Sequence, residues 1–151
     1  IGEFSGTVET MSLRTIKLRA FNGTLHIYPY SEAQVIHNMS KDFSYAVFDL
    51  TIEHNSNITK ALELMKQIGD EVRTESALAD RIISPIEIAG VDRVSEEGVL
   101  LKARMRTIPG KQWSVQREYL RRIYLAFDKD GIEFAQDTMR LIAPDPSDVK
   151  P

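Results

Sequence analysis

The sequence predicts an α+β protein in two parts: a small β region over residues 1–41 and a ferredoxin-like βαββαβ region over residues 42–142, followed by a loose tail over 143–151. Three observations predict it. Apolar residues alternate with polar ones before residue 29, apolar spacings of three and four mark two later stretches, and turn residues set these stretches in the order strand, helix, strand, strand, helix, strand. That order is the split βαβ arrangement, whose two helices cover one face of an antiparallel sheet.

In the first part, Ile16, Leu18 and Ala20 alternate with Thr15, Lys17 and Arg19, and Leu25 and Ile27 alternate with Thr24, His26 and Tyr28. Asn22-Gly23 between them predicts a two-residue hairpin of type I′, which needs positive φ at both central residues. Pro29 ends the second strand because it brings no ladder donor. Ser31, Gln34, Asn38 and Ser40 then mark an irregular passage into the second part.

The second part begins with a half-buried strand, Ala46, Phe48, Leu50 and Ile52 on one face and Tyr45, Asp49, Thr51 and Glu53 on the other. Asn55-Ser56-Asn57 caps a helix in which Ile58, Leu62, Met65, Ile68 or Gly69, and Val72 form the apolar stripe. Two strands, Pro85 to Val94 and Val99 to Ile108, flank the turn Ser95-Glu96-Glu97-Gly98, with Val99, Leu101, Ala103 and Met105 inward and Lys102, Arg104 and Arg106 outward. A second helix follows Pro109-Gly110, its stripe read as Trp113, Gln116, Leu120, Ile123, Tyr124 and Phe127, and Asp130-Gly131 supplies a left-handed cap. Ile132–Phe134 and Met139–Ile142 form the last extended segment, and Pro144 and Pro146 mark the tail.

The composition, 42% hydrophobic and 27% charged, is that of a soluble globular chain, and no run of 18 apolar residues or signal-peptide pattern is present. The absence of Cys removes disulfides, thiolate metal sites and cysteine nucleophiles, and leans toward the cytoplasm. Nineteen basic residues against 22 acidic ones give a net charge of −3, with no polyanion-binding bias in either part.

Catalytic and ligand-binding patterns are weak. His26, His37 and His54 have no zinc-site spacing, and Asp128-Lys129-Asp130-Gly131 holds only a scrap of a calcium loop, better read as a helix stop. Asp49, Glu53 and His54 lie on one strand without a nucleophile, and the glycines are scattered rather than gathered into a phosphate loop. Asn22, Asn38 and Asn57 head glycosylation sequons but each already serves a turn, a loop or a cap. Arg104, Arg106, Lys111, Arg117, Arg121 and Arg122 make a basic cluster on paper, yet the strand from Val99 to Ile108 carries no aromatic platform for stacking bases. No catalytic, cofactor-binding or metal residue is assigned.

A more specific signal is the run Gly6-Thr7-Val8, Arg14-Thr15-Ile16-Lys17-Leu18-Arg19, Asn22-Gly23-Thr24-Leu25-His26-Ile27-Tyr28-Pro29 and Asn38-Met39-Ser40-Lys41. It resembles the β domain after the pore helix in small-conductance mechanosensitive channels, the MscS family. Asn57-Ile58-Thr59-Lys60-Ala61, Pro109-Gly110, Trp113, Arg121-Arg122-Ile123 and the run from Ala126 to Glu133 are similar to that family's α/β domain, so the resemblance extends from residue 5 to about residue 142. It implies a small Sm-like β domain, incomplete at its N-terminus and open at one strand edge, ahead of the ferredoxin-like domain.

The resemblance further implies a non-enzymatic role without a cofactor. In such channels the soluble parts of several subunits, usually seven, ring a hollow chamber below the pore on the cytoplasmic side of the inner membrane, and support assembly and gating under osmotic stress. This chain alone is then expected as a monomer or small oligomer, joined to the membrane only through upstream helices and binding no nucleic acid. The alternative is a ferredoxin-like RNA-binding or small-molecule regulatory module.

Overall fold

The computed structural model describes residues 5–75 and 77–135, and the chain divides into two compact units, Ile1–Asn38 and Met39–Pro151. The first unit is a three-stranded antiparallel sheet in the order β1-β2-β3, with β1 Thr7–Met11, β2 Thr15–Arg19 and β3 Leu25–Pro29. Its central strand buries Ile16 and Leu18. Ile16 stands between Met11 and Tyr28, and Leu18 between Val8 and His26.

The hairpin between β2 and β3 differs from the two-residue turn expected of Asn22-Gly23. Ala20 N donates to Thr24 O and Gly23 N donates to Ala20 O, which closes a three-residue loop over Phe21, Asn22 and Gly23. Only Gly23 takes positive φ, +87°, while the Asn22 side chain accepts from Thr24 N at 3.0 Å. A type I turn followed by a left-handed glycine needs one positive φ instead of two, so Asn22 is spared the left-handed region. The extra loop residue shifts the register by one and flips every β3 side chain. Leu25 therefore opposes Arg19, Ile27 opposes Lys17, and both lie on the outer face, whereas His26 and Tyr28 join Leu18 and Ile16.

The second unit carries β4 Ser44–Ile52, α1 Ile58–Glu75, β5 Glu87–Ser95, β6 Gly98–Thr107 and α2 Gln112–Lys129. The sheet order is β4-β6-β5, all antiparallel, so β6 lies between the two strands that α1 connects. After α2 the chain returns to the free side of β4: Phe134 bridges Ile52, Glu53 N donates to Glu133 O, and Ala135 N donates to Thr51 O, both at 2.9 Å. Among the described residues this pairing is a single bridge beside the three-stranded sheet, standing where the βαββαβ order puts its last strand. The expected extension over Met139–Ile142 lies outside the described residues.

Strict alternation in β4 and β6 aims Ala46, Phe48, Leu50 and Ile52, with Val99, Leu101, Ala103 and Met105, at the helices. Asn57 caps α1 by accepting from Lys60 N at 3.0 Å, and Ala61, Leu64, Met65, Ile68, Gly69 and Val72 form its buried stripe. Gly69 is needed for contact, since a Cβ there would lie 2.5 Å from Ile86 Cγ2.

The stripe of α2 is rotated from the one read in the sequence. Val115, Tyr119, Ile123 and Phe127 are buried, Trp113 is half exposed, and Leu120 and Tyr124 only flank the core. The helical period is as expected, but the apolar bulk of Trp113 and Leu120 drew the face toward them, and Tyr119 conceals a hydroxyl whose partner, Met65 O, sits on α1. The end of α2 follows expectation: Gly131 has φ +68°, Gly131 N donates to Asp128 O and Ile132 N to Phe127 O, the paired bonds of a Schellman cap.

Candidate functional site

Since both helices pack on one side of the second sheet, the other side carries the most organised polar surface among the described residues. Its centre is the row Lys102, Arg104 and Arg106 on β6, placed two apart on one face by the strand period. Register sets Asp49, Val47 and Tyr45 of β4 opposite them. Arg104 Nε donates to Glu87 Oε2 at 2.7 Å and its guanidinium lies 4.5 Å from the Tyr45 ring centre. Arg106 stacks over Phe43 at 3.9 Å, and Phe43 meets Tyr45 edge-on at 5.3 Å.

Lys102 completes the row by donating to Asp92 at 3.2 Å, with Asp49 at 3.9 Å on its other side. The bond to Glu87 raises the Arg104 pKa above its ordinary value, so the cation is permanent. Such exposed pairs fix side-chain positions more than they stabilise the fold. Phe43 and Tyr45 supply the aromatic companions that the sequence of β6 lacks. They come from the neighbouring strand and the residue before it, and the signal that could have found them is the alternation that already put Tyr45 on the outward face. Two of the three cations on this face are nevertheless already matched by carboxylates, which leaves little free charge for a nucleic-acid backbone.

The remaining candidates are dispersed. His26 lies part-buried on β3, His37 follows the short 3-10 turn Tyr30–Glu32, and His54 is exposed past the end of β4. Asp49 faces Lys102, while the Glu53 backbone bonds to Glu133. Asp130 pairs with Lys60 at 3.5 Å beside the cap, the helix-stop role expected of it. Among the described residues no three of His, Asp and Glu gather to hold a metal ion. The basic cluster splits: Arg104 and Arg106 stand on the open face, whereas Arg117, Arg121 and Arg122 belong to α2 on the other side of the sheet.

Comparison with known proteins accounts for both units. The family model described as mechanosensitive ion channel, beta-domain, matches residues 1–41, and the one described as mechanosensitive ion channel MscS, C-terminal, matches residues 46–134. The small-conductance mechanosensitive channel of Caldanaerobacter subterraneus is 29% identical over 134 residues, covering 89% of this chain and 46% of the relative. The moderate conductance mechanosensitive channel YbiO of Escherichia coli is 26% identical over 152 residues, covering all of this chain and 20% of the relative. The chain thus spans less than half the length of either relative.

Among solved structures, closed-state MscS of Helicobacter pylori superposes with a TM-score of 0.63 at 20% identity, over 85% of this chain and 50% of that one. Arabidopsis thaliana MSL1 does so with a TM-score of 0.56 at 19% identity, over 88% and 49%. At that identity the superpositions speak for the fold, and the sequence matches carry the relationship. The chain belongs to the MscS family of mechanosensitive ion channels.

Proposed function

We propose that this chain is the cytoplasmic region of a tension-gated ion channel of the cell inner membrane, forming the chamber below the pore. The observation that carries the reading is the succession of the β-domain match over 1–41 and the C-terminal match over 46–134, in one chain and in that order. In this reading the β domain spans residues 1–41, the ferredoxin-like domain 42–142 and the tail 143–151. Among the described residues no helix is long and apolar enough to cross a membrane, so the pore is assigned to upstream helices of the parent polypeptide.

The role is mechanical and electrostatic rather than enzymatic. Copies of this region assemble as a homo-oligomer, a heptamer in the intact channel, support the pore in its open and closed states during osmotic stress, and filter what reaches it by size and charge. The chain alone is a monomer or small oligomer, because subunits held in one membrane profit from an effective concentration that free chains lack. It needs no cofactor and binds no nucleic acid.

Osmotic down-shock tests the reading. Cells stripped of their own tension-gated channels and expressing the full-length polypeptide should survive dilution, and the same polypeptide with Ile123→Asp should not rescue them. Death of cells carrying the correctly inserted wild-type polypeptide would contradict it.

A further inference from the structure

A second charged feature lies on the helix side of the sheet, where the end of α1 meets the first half of α2. Helical spacing puts Ser114, Arg117, Glu118, Arg121 and Arg122 along one side of α2, and with Glu75 of α1 they line a surface cavity of about 480 Å³. Glu118 organises it. Its carboxylate accepts from Arg121 Nε at 3.0 Å and Nη2 at 2.9 Å, and from Arg122 Nε at 2.8 Å. Bonding to Arg121 first and Arg122 second holds its pKa down at about 2, so the clamp is charged under all ordinary conditions.

The clamp orders two guanidiniums without exhausting them. A guanidinium offers five N–H donors, and the bonds to Glu118 leave Arg121 Nη1 and both Nη atoms of Arg122 uncommitted among the described residues. Arg117 is exposed one turn before Arg121 and has no ion-pair partner among the described residues. A fourth guanidinium reaches the rim from the 3-10 turn Ala79–Arg81, where Arg81 Nη1 donates to Ser114 Oγ at 3.4 Å. Four guanidiniums against the carboxylates of Glu75 and Glu118 make this a locally cationic hollow in a chain whose net charge is −3.

We propose that this hollow binds a small phosphorylated anion, with phosphoryl oxygens on Arg117, Arg121 and Arg122. Planar guanidinium forks match phosphoryl oxygens in pairs, and forks already held in place by Glu118 lose less rotamer freedom on binding than free ones. Arg117 and Arg122 stand five residues apart along α2, a span of about 7.5 Å that favours a ligand with at least two phosphoryl groups. The proposal concerns this unit alone and stands independently of the channel reading.

Calorimetric titration of the 151-residue chain with inorganic pyrophosphate tests it, beside a second titration with phosphatidylglycerol vesicles. One saturable site per chain is expected, weakened by salt, and Arg117→Gln or Arg122→Gln should weaken it by about tenfold, the loss of one charge-assisted bond. Arg104→Gln, on the opposite face of the sheet, should leave the affinity unchanged. Arg117 is exposed, so Arg117→Gln keeps the test valid even where Arg122→Gln disturbs folding. Absence of saturable pyrophosphate binding, an equal loss in Arg104→Gln, or binding to vesicles alone would overturn the proposal.

Discussion

Tyr119 of α2 donates its hydroxyl to the carbonyl of Met65 in α1 at 3.0 Å, while its ring lies 4.0 Å, centre to centre, from Phe48 of β4. One side chain thereby ties both helices to the sheet. Burial pushes the phenol's pKa far up, so the group remains a donor at every accessible pH. Tyr119→Phe should cost about 1 kcal/mol, the net worth of one buried hydrogen bond, and Tyr119→Ala about 3–5 kcal/mol through the cavity it leaves. Urea midpoints compared at constant m-value check both figures.

The rotated stripe of α2 makes a sharper test of register. Val115 is fully buried and lies outside the stripe read in the sequence, so Val115→Asp should place an unpaired carboxylate in the core and unfold the unit, a cost of roughly 3 kcal/mol or more. Trp113 is 50% exposed, and Trp113→Ala should stay within about 1 kcal/mol. Thermal melts showing the reverse order would return the buried face to Trp113 and Leu120.

Two glycines separate strain from crowding. Gly98 has φ +148° and a Cβ there would collide with Ile52 O, so Gly98→Ala should cost about 1–3 kcal/mol and loosen the β4-β6 pairing. Gly131 has φ +68° but open space around it. Gly131→Val should therefore cost about 1 kcal/mol from backbone conformation alone, and Gly131→Asn less, since Asn tolerates the left-handed region. Equal melting temperatures for the Val and Asn variants would contradict the cap assignment.

Acid should expose the clamp on Glu118. Its folded pKa of about 2 lies below the unfolded value of 4.5, so between them the unfolded chain binds more protons and stability rises with pH. The contribution is complete above the unfolded pKa and disappears as the pH falls through about 2. Urea midpoints of wild type should thus decline toward acid more steeply than those of Glu118→Gln, and parallel declines would remove the clamp from the account.

Much of the second unit was legible because its signals are local. The alternation in Phe48, Leu50 and Ile52, the Asn57 cap and the Gly131 stop each require only a few neighbouring residues, and each stands where the sequence puts it. What escaped depends on partners distant in the chain. The face of α2 is decided by Met65, 54 residues from Tyr119, and the aromatic neighbours of Arg104 and Arg106 are supplied across the ladder by β4. In the first unit, Asn22-Gly23 identified the hairpin but not its loop length, and a single added residue moved Leu25 and Ile27 to the opposite face. The clamp itself is an i,i+3 and i,i+4 pattern that the spacing of Glu118, Arg121 and Arg122 offered, but the approach of Arg81 to Ser114 and of Glu75 to the hollow comes from elements distant in the chain.

Patch recording from liposomes containing the purified full-length polypeptide tests the central claim most directly. Stepwise suction should open discrete ion-conducting events whose probability rises with membrane tension. A silent membrane up to the lytic limit, with the polypeptide shown to be inserted and folded, would contradict the account.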